Sequence, residues 1–166
     1  MKLISQVETL GYLNPIDLGM LNVSWQKNKN INSAKEYPLS DQVFFLASFL
    51  PQGPKLFDLK IQDLAAGQLP CLPGWHLDSG PDREAEYILM TAGVSRTEFS
   101  LEELEVPYSD NMKVFCHRIN QLVSNPTKKL DDFEIVRYNN TTIHRGTPAT
   151  ESGRRLLIRV MAYKNQ

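Results

Sequence analysis

Long apolar stretches are missing from this chain. The longest, Val43 to Leu50, is broken by Ser48, whereas a membrane-crossing helix needs about 20 apolar residues in a row. No membrane partner is expected. The first residues, Met1-Lys2-Leu3-Ile4-Ser5-Gln6-Val7-Glu8, have neither the apolar core nor the small-residue cleavage site of a secretory signal, so the expectation is a cytoplasmic protein. Cysteine is scarce: Cys71 and Cys116 are the only two. They have no metal-finger spacing and no disulfide framework around them, and are expected to be reduced, buried thiols. An excess of charge is missing too. Eighteen Lys and Arg stand against 19 Asp and Glu, so no global field favours nucleic acid or an anionic lipid surface. No internal repeat or low-complexity segment occurs.

What is present is an ordinary globular composition, 42% apolar and 22% charged. The length fits one domain over 1–166, with residues 1–50 a weakly patterned N-terminal extension. Mixed strand signals occupy 1–10 and Leu18 to Trp25. The polar run Gln26 to Lys35 reads as an exposed loop, or as a lid over a site. Ser40-Asp41 looks like a helix start and Pro51 a stop, although Val43 to Leu46 also suits a buried strand. From Phe57, apolar Phe57, Leu59 and Ile61 alternate with polar Asp58, Lys60 and Gln62, a half-buried strand. Further strands are predicted over Tyr87–Thr91, Thr97 to Val106, Phe133–Tyr138, Thr141–Arg145 and Arg155–Tyr163. Between them, Asp110 is placed to cap a helix carrying Met112, Phe115, Ile119, Leu122 and Val123 on one face. About eight short strands and one clear helix predict a mainly β chain, a sandwich or jelly roll with one or two flanking helices.

Two stretches carry chemistry. In Pro73-Gly74-Trp75-His76-Leu77-Asp78-Ser79-Gly80, an imidazole and a carboxylate stand two residues apart, and in extended chain such residues point the same way. In Tyr138-Asn139-Asn140-Thr141-Thr142-Ile143-His144-Arg145-Gly146, a second imidazole follows a strand-like run. Two His and one Asp on one side of a metal ion leave the opposite positions open, and nitrogen and carboxylate donors suit Fe(II) or Mn(II). Each piece alone is also compatible with structural hydrogen bonding. The remaining histidine, His117, lies off the apolar stripe of the predicted helix and reads as solvated. Trp75 is positioned either to stack on a substrate or to pack in its loop.

The last strand is two-faced. With a period of two, Arg154, Leu156, Ile158 and Val160 share one side, a core stripe with Arg154 at its end. Arg155, Leu157 and Arg159 share the other. If that second side faces inward, its charges need partners, and a dicarboxylic acid suits them because guanidinium binds carboxylate with two parallel hydrogen bonds. On a solvent face the same arginines would simply pair with surface acids.

His76-x-Asp78, then His144 followed by Arg145-Gly146-x-Pro148, then Arg155 eleven residues after His144 resembles the Fe(II)/2-oxoglutarate-dependent dioxygenases, over residues 57–163. The 138–146 segment is similar to the distal-histidine strand of phytanoyl-CoA-hydroxylase-like and taurine-dioxygenase-like members. The resemblance implies a double-stranded β-helix (a cupin-like jelly roll). It implies His76, Asp78 and His144 as catalytic iron ligands, Arg155 holding the distal carboxylate of 2-oxoglutarate, and Arg159 as a second basic position for that co-substrate. It also implies hydroxylation of a C–H bond, coupled to decarboxylation of 2-oxoglutarate to succinate, since Asp78 is retained. The chain is short for this family, so an open pocket, or one completed by a second copy, is expected, with a small molecule or amino acid as substrate. Two alternatives stay open: a cupin-like metal enzyme without 2-oxoglutarate, and a non-catalytic jelly roll binding an anion or a metal.

Overall fold

The computed structural model describes residues 1–164; the last two positions of the domain expected over 1–166 lie outside the described residues. The chain runs through β1 (Lys2–Ile4), β2 (Val7–Tyr12), a 3-10 turn (Leu18–Met20), β3 (Ser24–Asn30), a second 3-10 segment (Ile31–Glu36) and α1 (Ser40–Ala47). There follow β4 (Leu56–Leu64), β5 (Ala85–Gly93), β6 (Thr97–Ser100), β7 (Glu103–Glu105) and α2 (Met112–Leu122). The chain closes with β8 (Thr127–Lys129), β9 (Glu134–Asn139), β10 (His144–Gly146) and β11 (Gly153–Tyr163). A six-stranded sheet has the order β2-β9-β5-β11-β4-β3, a three-stranded sheet the order β10-β6-β8, and β1 pairs with β7. Every pairing is antiparallel. This is the mainly β, jelly-roll class expected, with two flanking helices. No helix among the described residues is long and apolar enough to cross a membrane.

Both sides of the large sheet carry apolar clusters, and each side packs on something different. Phe57, Leu59 and Ile61 of β4, Ile88, Met90 and Ala92 of β5, and Leu156, Ile158 and Val160 of β11 bury against Val43, Leu46 and Ala47 of α1. Side chains of this size each contribute about 1.5–3 kcal/mol when taken out of water. On the other side Tyr87, Leu89, Val136, Tyr138 and Met161 meet Phe99 of the small sheet. A third cluster joins Leu3, Trp75, Leu77 and Ile143 to Phe115 and Ile119 of α2. The last cluster fastens the loop before His76 to a helix.

Several local expectations are corrected. Leu18 to Trp25 is not one strand: it begins with a 3-10 turn capped by Asp17, and only Ser24 and Trp25 at its end enter β3. Gln26 to Lys35 is not a loop, because its first half pairs with β4 as the edge strand β3 and its second half is 3-10. Polar side chains there face solvent from an edge, which is why the run lacks an apolar signature. Val43 to Leu46 is helical, and the residue before that helix is Leu39 in the left-handed region, with no side-chain cap. Asn111, not Asp110, caps α2, its Oδ1 accepting from the amides of Lys113 and Val114. On α2 only Phe115 and Ile119 are buried, while Met112 and Leu122 are exposed at its ends. Cys71 is exposed rather than buried, and Cys116 is half-buried.

Candidate metal centre

The approach to His76 is shaped by two glycines and an asparagine. Gly74 has φ +84°, and a Cβ there would lie 2.5 Å from Asn120 Oδ1, so only glycine admits Asn120 so close. Asn120 of α2 then clamps the next residue: its Oδ1 accepts from the Trp75 amide at 2.8 Å and its Nδ2 donates to the Trp75 carbonyl at 2.8 Å. Across the loop, a Cβ on Gly146 would strike Pro70 at 2.5 Å. The clamped loop enters an antiparallel bridge, with the His76 amide donating to the His144 carbonyl at 2.9 Å and the reverse bond at 3.1 Å.

Directly opposed residues of such a bridge project to the same side, and Asp78, two further on, joins them. The imidazole centroids are 4.7 Å apart, and Asp78 Oδ2 lies 3.2 Å from His144 Nε2. One donor atom from each of His76, Asp78 and His144 can be chosen so that all lie within 4.8 Å of one another. The three residues singled out in the sequence are therefore brought together.

The protonation pattern fits a cation. Nδ1 of His76 is 3.0 Å from the Gly74 carbonyl, and Nδ1 of His144 is 3.2 Å from the Thr142 carbonyl. A carbonyl only accepts, which places a proton on each Nδ1 and leaves each Nε2 as the ring nitrogen that a metal would take. Burial, and then the neighbouring His144 ring, push the His76 pKa down to about 4, so His76 is neutral at pH 7. Burial alone would raise the Asp78 carboxyl. The Arg159 guanidinium, followed by His144 and Tyr138, outweighs it and holds the carboxyl well below the usual carboxylate range. Two imidazole nitrogens and a carboxylate facing one point form a donor set that could hold a divalent metal.

The two arginines differ in what they touch. Both line a cavity of about 510 Å³ that also reaches His76, Asp78 and His144. Arg159 is already paired. Its Nε and Nη2 donate to Asp58 Oδ2 at 3.0 and 2.5 Å, and its Nη1 contacts Asp78 Oδ1. Arg155 has no such partner: among the described residues no carboxylate is in ion-pair contact with it. Its Nη groups reach only neutral oxygens, Gln62 Oε1 at 3.3 Å and Thr97 Oγ1 at 3.5 Å, and its Nε has no acceptor. It is 3% exposed. Burial pushes its pKa down to about 10, which still leaves it charged at pH 7. A buried guanidinium with an orphaned N–H and only weak neutral partners fits an incoming carboxylate.

Sequence reasoning missed several participants. Asp58 and Gln62 lie on the polar side of β4, in register opposite Arg159 and Arg155; that side faces the cavity rather than solvent. Tyr138 donates its phenol to Asp78, and Asn120 orients the loop. The pairing of β4 with β11 was the signal that could have exposed Asp58. Trp75 packs in its loop, 6% exposed, beneath the Arg145 guanidinium at 4.3 Å. His117 is exposed.

No protein-family model matches the chain, and no curated protein matches it significantly in sequence. Among solved structures it is similar to AviO1 from Streptomyces viridochromogenes Tue57, with 14% identity and a TM-score of 0.47 over 77% of this chain and 59% of that one. It is also similar to EvdO2 from Micromonospora carbonacea var. aurantiaca, with 14% identity and a TM-score of 0.48 over 89% of this chain and 71% of that one. EvdO2 complexed with 2-oxoglutarate aligns with 17% identity and a TM-score of 0.45, over 82% and 66% of the respective chains. The chain thus spans less than two thirds of AviO1.

Proposed function

We propose that this chain is a non-haem iron oxygenase that uses 2-oxoglutarate and hydroxylates a C–H bond of a small molecule or amino acid in the cytoplasm. The observation that carries this reading is a convergence within one cavity. A two-imidazole, one-carboxylate donor set stands at one place, and a buried guanidinium without an acid stands at another.

His76, Asp78 and His144 would hold the iron, and Arg155, with Gln62 and Thr97 beside it, would receive the distal carboxylate of the co-substrate. Bound there, iron and 2-oxoglutarate supply the oxygen-activating chemistry. The chain's own contribution is orientation and charge. The Gly74 and Thr142 carbonyls keep the imidazole lone pairs aimed inward, as partners behind metal ligands do. Arg159, which lines the same cavity, holds Asp78 ionised, and Asp58 holds Arg159. Leu157 and Leu89 contribute apolar wall to the cavity, limiting water around the reacting centre.

Anaerobic addition of Fe(II) and then 2-oxoglutarate should produce a weak visible charge-transfer band that disappears in His76→Ala or His144→Ala. No band with the unaltered protein refutes the reading. Iron binding with no response to 2-oxoglutarate returns the cupin-like alternative. A second copy closing the cavity mouth belongs to the same proposal; sedimentation as a monomer at working concentration removes that part.

A further inference from the structure

The cavity carries more positive charge than the proposed reaction uses. Its lining includes Lys27, Lys60, Arg83, Arg155 and Arg159, and a single acid, Asp78. In the inner half the charges balance. Asp58 and Asp78 offset Arg159 and a share of a divalent ion, and a doubly charged oxo-diacid offsets the remainder together with Arg155. Lys60, Lys27 and Arg83 are left over. Among the described residues none of the three has a carboxylate in ion-pair contact.

Lys27 and Arg83 are exposed at the cavity mouth, and Lys60 is the one set into its wall. Lys60 is half-buried, and its Nζ lies 4.5 Å over the Trp25 ring. Burial, followed by the Arg159 charge, pushes its pKa down, so its charged form is held there against a cost that a bound anion would relieve. Trp25 is opposite Lys60 in the pairing of β3 with β4 and is 54% exposed, a broad aromatic surface continuous with the cavity wall. The Arg83 guanidinium carbon sits over Tyr163, 3.8 Å from the ring centroid.

We infer that the prime substrate is a small organic anion, its carboxylate or phosphate received by Lys60 with Lys27 nearby and its carbon body lying along Trp25. This rests on the oxygenase reading, in which Arg155 is reserved for the co-substrate.

The test uses the full chain loaded with Mn(II) and saturated with 2-oxoglutarate, titrated calorimetrically with benzoate, phenyl phosphate and the uncharged benzamide. Benzoate or phenyl phosphate should bind and benzamide should not, and the better anion identifies the group. Lys60→Met should weaken that binding about tenfold or more, with Mn(II) and 2-oxoglutarate affinities unchanged, and added salt should weaken it as well. Equal binding of benzamide, or anion binding indifferent to Lys60→Met, overturns the inference while leaving the oxygenase reading intact. Lys60-dependent anion binding in a protein that takes up neither Mn(II) nor 2-oxoglutarate keeps the anion site and sinks the oxygenase. If Lys60→Met does not fold, Lys60→Gln, checked by circular dichroism, decides by the same criterion.

Discussion

Asp58 stands directly across the sheet from Arg159, and its fully buried carboxylate accepts two of that guanidinium's N–H groups. The pair is the base of the candidate metal centre, because the third nitrogen of the same guanidinium touches Asp78. Removing one member of a buried pair leaves an uncompensated charge and costs about 3–5 kcal/mol. Asp58→Ala should lower the urea midpoint accordingly. It should also weaken Mn(II) binding, since Arg159 would then turn wholly towards Asp78 and compete with the ion. An unchanged Mn(II) isotherm would show that Arg159 does not govern the ligand.

Arg155→Leu should act in opposite directions on two properties. The unpartnered buried guanidinium is a liability to the ligand-free chain, so its replacement should leave thermal stability unchanged or raise it. The 2-oxoglutarate requirement should rise by about 100-fold, as losing a charge-assisted bond with its partner left in place predicts, while Fe(II) affinity stays level. Equal weakening of both ligands, with a lower melting temperature, would make the residue structural.

Asn120→Ala removes both hydrogen bonds to Trp75 without touching a ligand atom. Metal affinity should fall by about 10–100-fold, the range seen when partners of metal ligands are removed, with a stability loss of about 1–3 kcal/mol. A stability loss of that size with unchanged Mn(II) affinity would mean that the loop before His76 holds its shape unaided.

Acid sensitivity should begin above the carboxylate range. His76 has a pKa of about 4 in the folded chain against an ordinary value of 6.5. Between those values the unfolded chain binds the additional proton. Stability is thus complete above pH 6.5 and falls as pH drops, by at most roughly 1.4 kcal/mol per pH unit. Asp78, held low, adds its own loss only below its ordinary value of 3.8. Urea midpoints of chelator-treated protein from neutral pH down to about pH 5 should decline, and His76→Gln should flatten that decline. A flat profile in the unaltered chain would contradict the burial of this imidazole.

The two faces of β11 were legible in Arg154 to Val160 because the sheet keeps strict alternation there. Leu156, Ile158 and Val160 lie in one core while Arg155 and Arg159 line the cavity on the other side. The His76, Asp78 and His144 cluster was legible because a two-residue spacing and a later strand restrict where those side chains point. Alternation misled at β4. Asp58, Lys60 and Gln62 look like a solvent face, yet they line or back a polar cavity, and polarity alone does not distinguish wet from internal. Ser24 to Asn30 was hidden because an edge strand can form its ladder with few apolar residues. Pro70 and Cys71 lie against Gly146, a contact between distant segments that no local pattern encodes.

One ribbon of backbone therefore serves two masters. The residues of β11 that wedge beneath α1 alternate with those that hold the site, so a change in how Ile158 or Val160 seats is transmitted one residue along, about 3.3 Å, to the Arg159 guanidinium. A slip of that ribbon by a single position would turn charges into the oily layer and leucines towards the donor cluster. Misthreaded molecules should consequently lose solubility and ligand recognition in the same event, and a preparation that stays in solution has already been sorted for a correctly assembled centre.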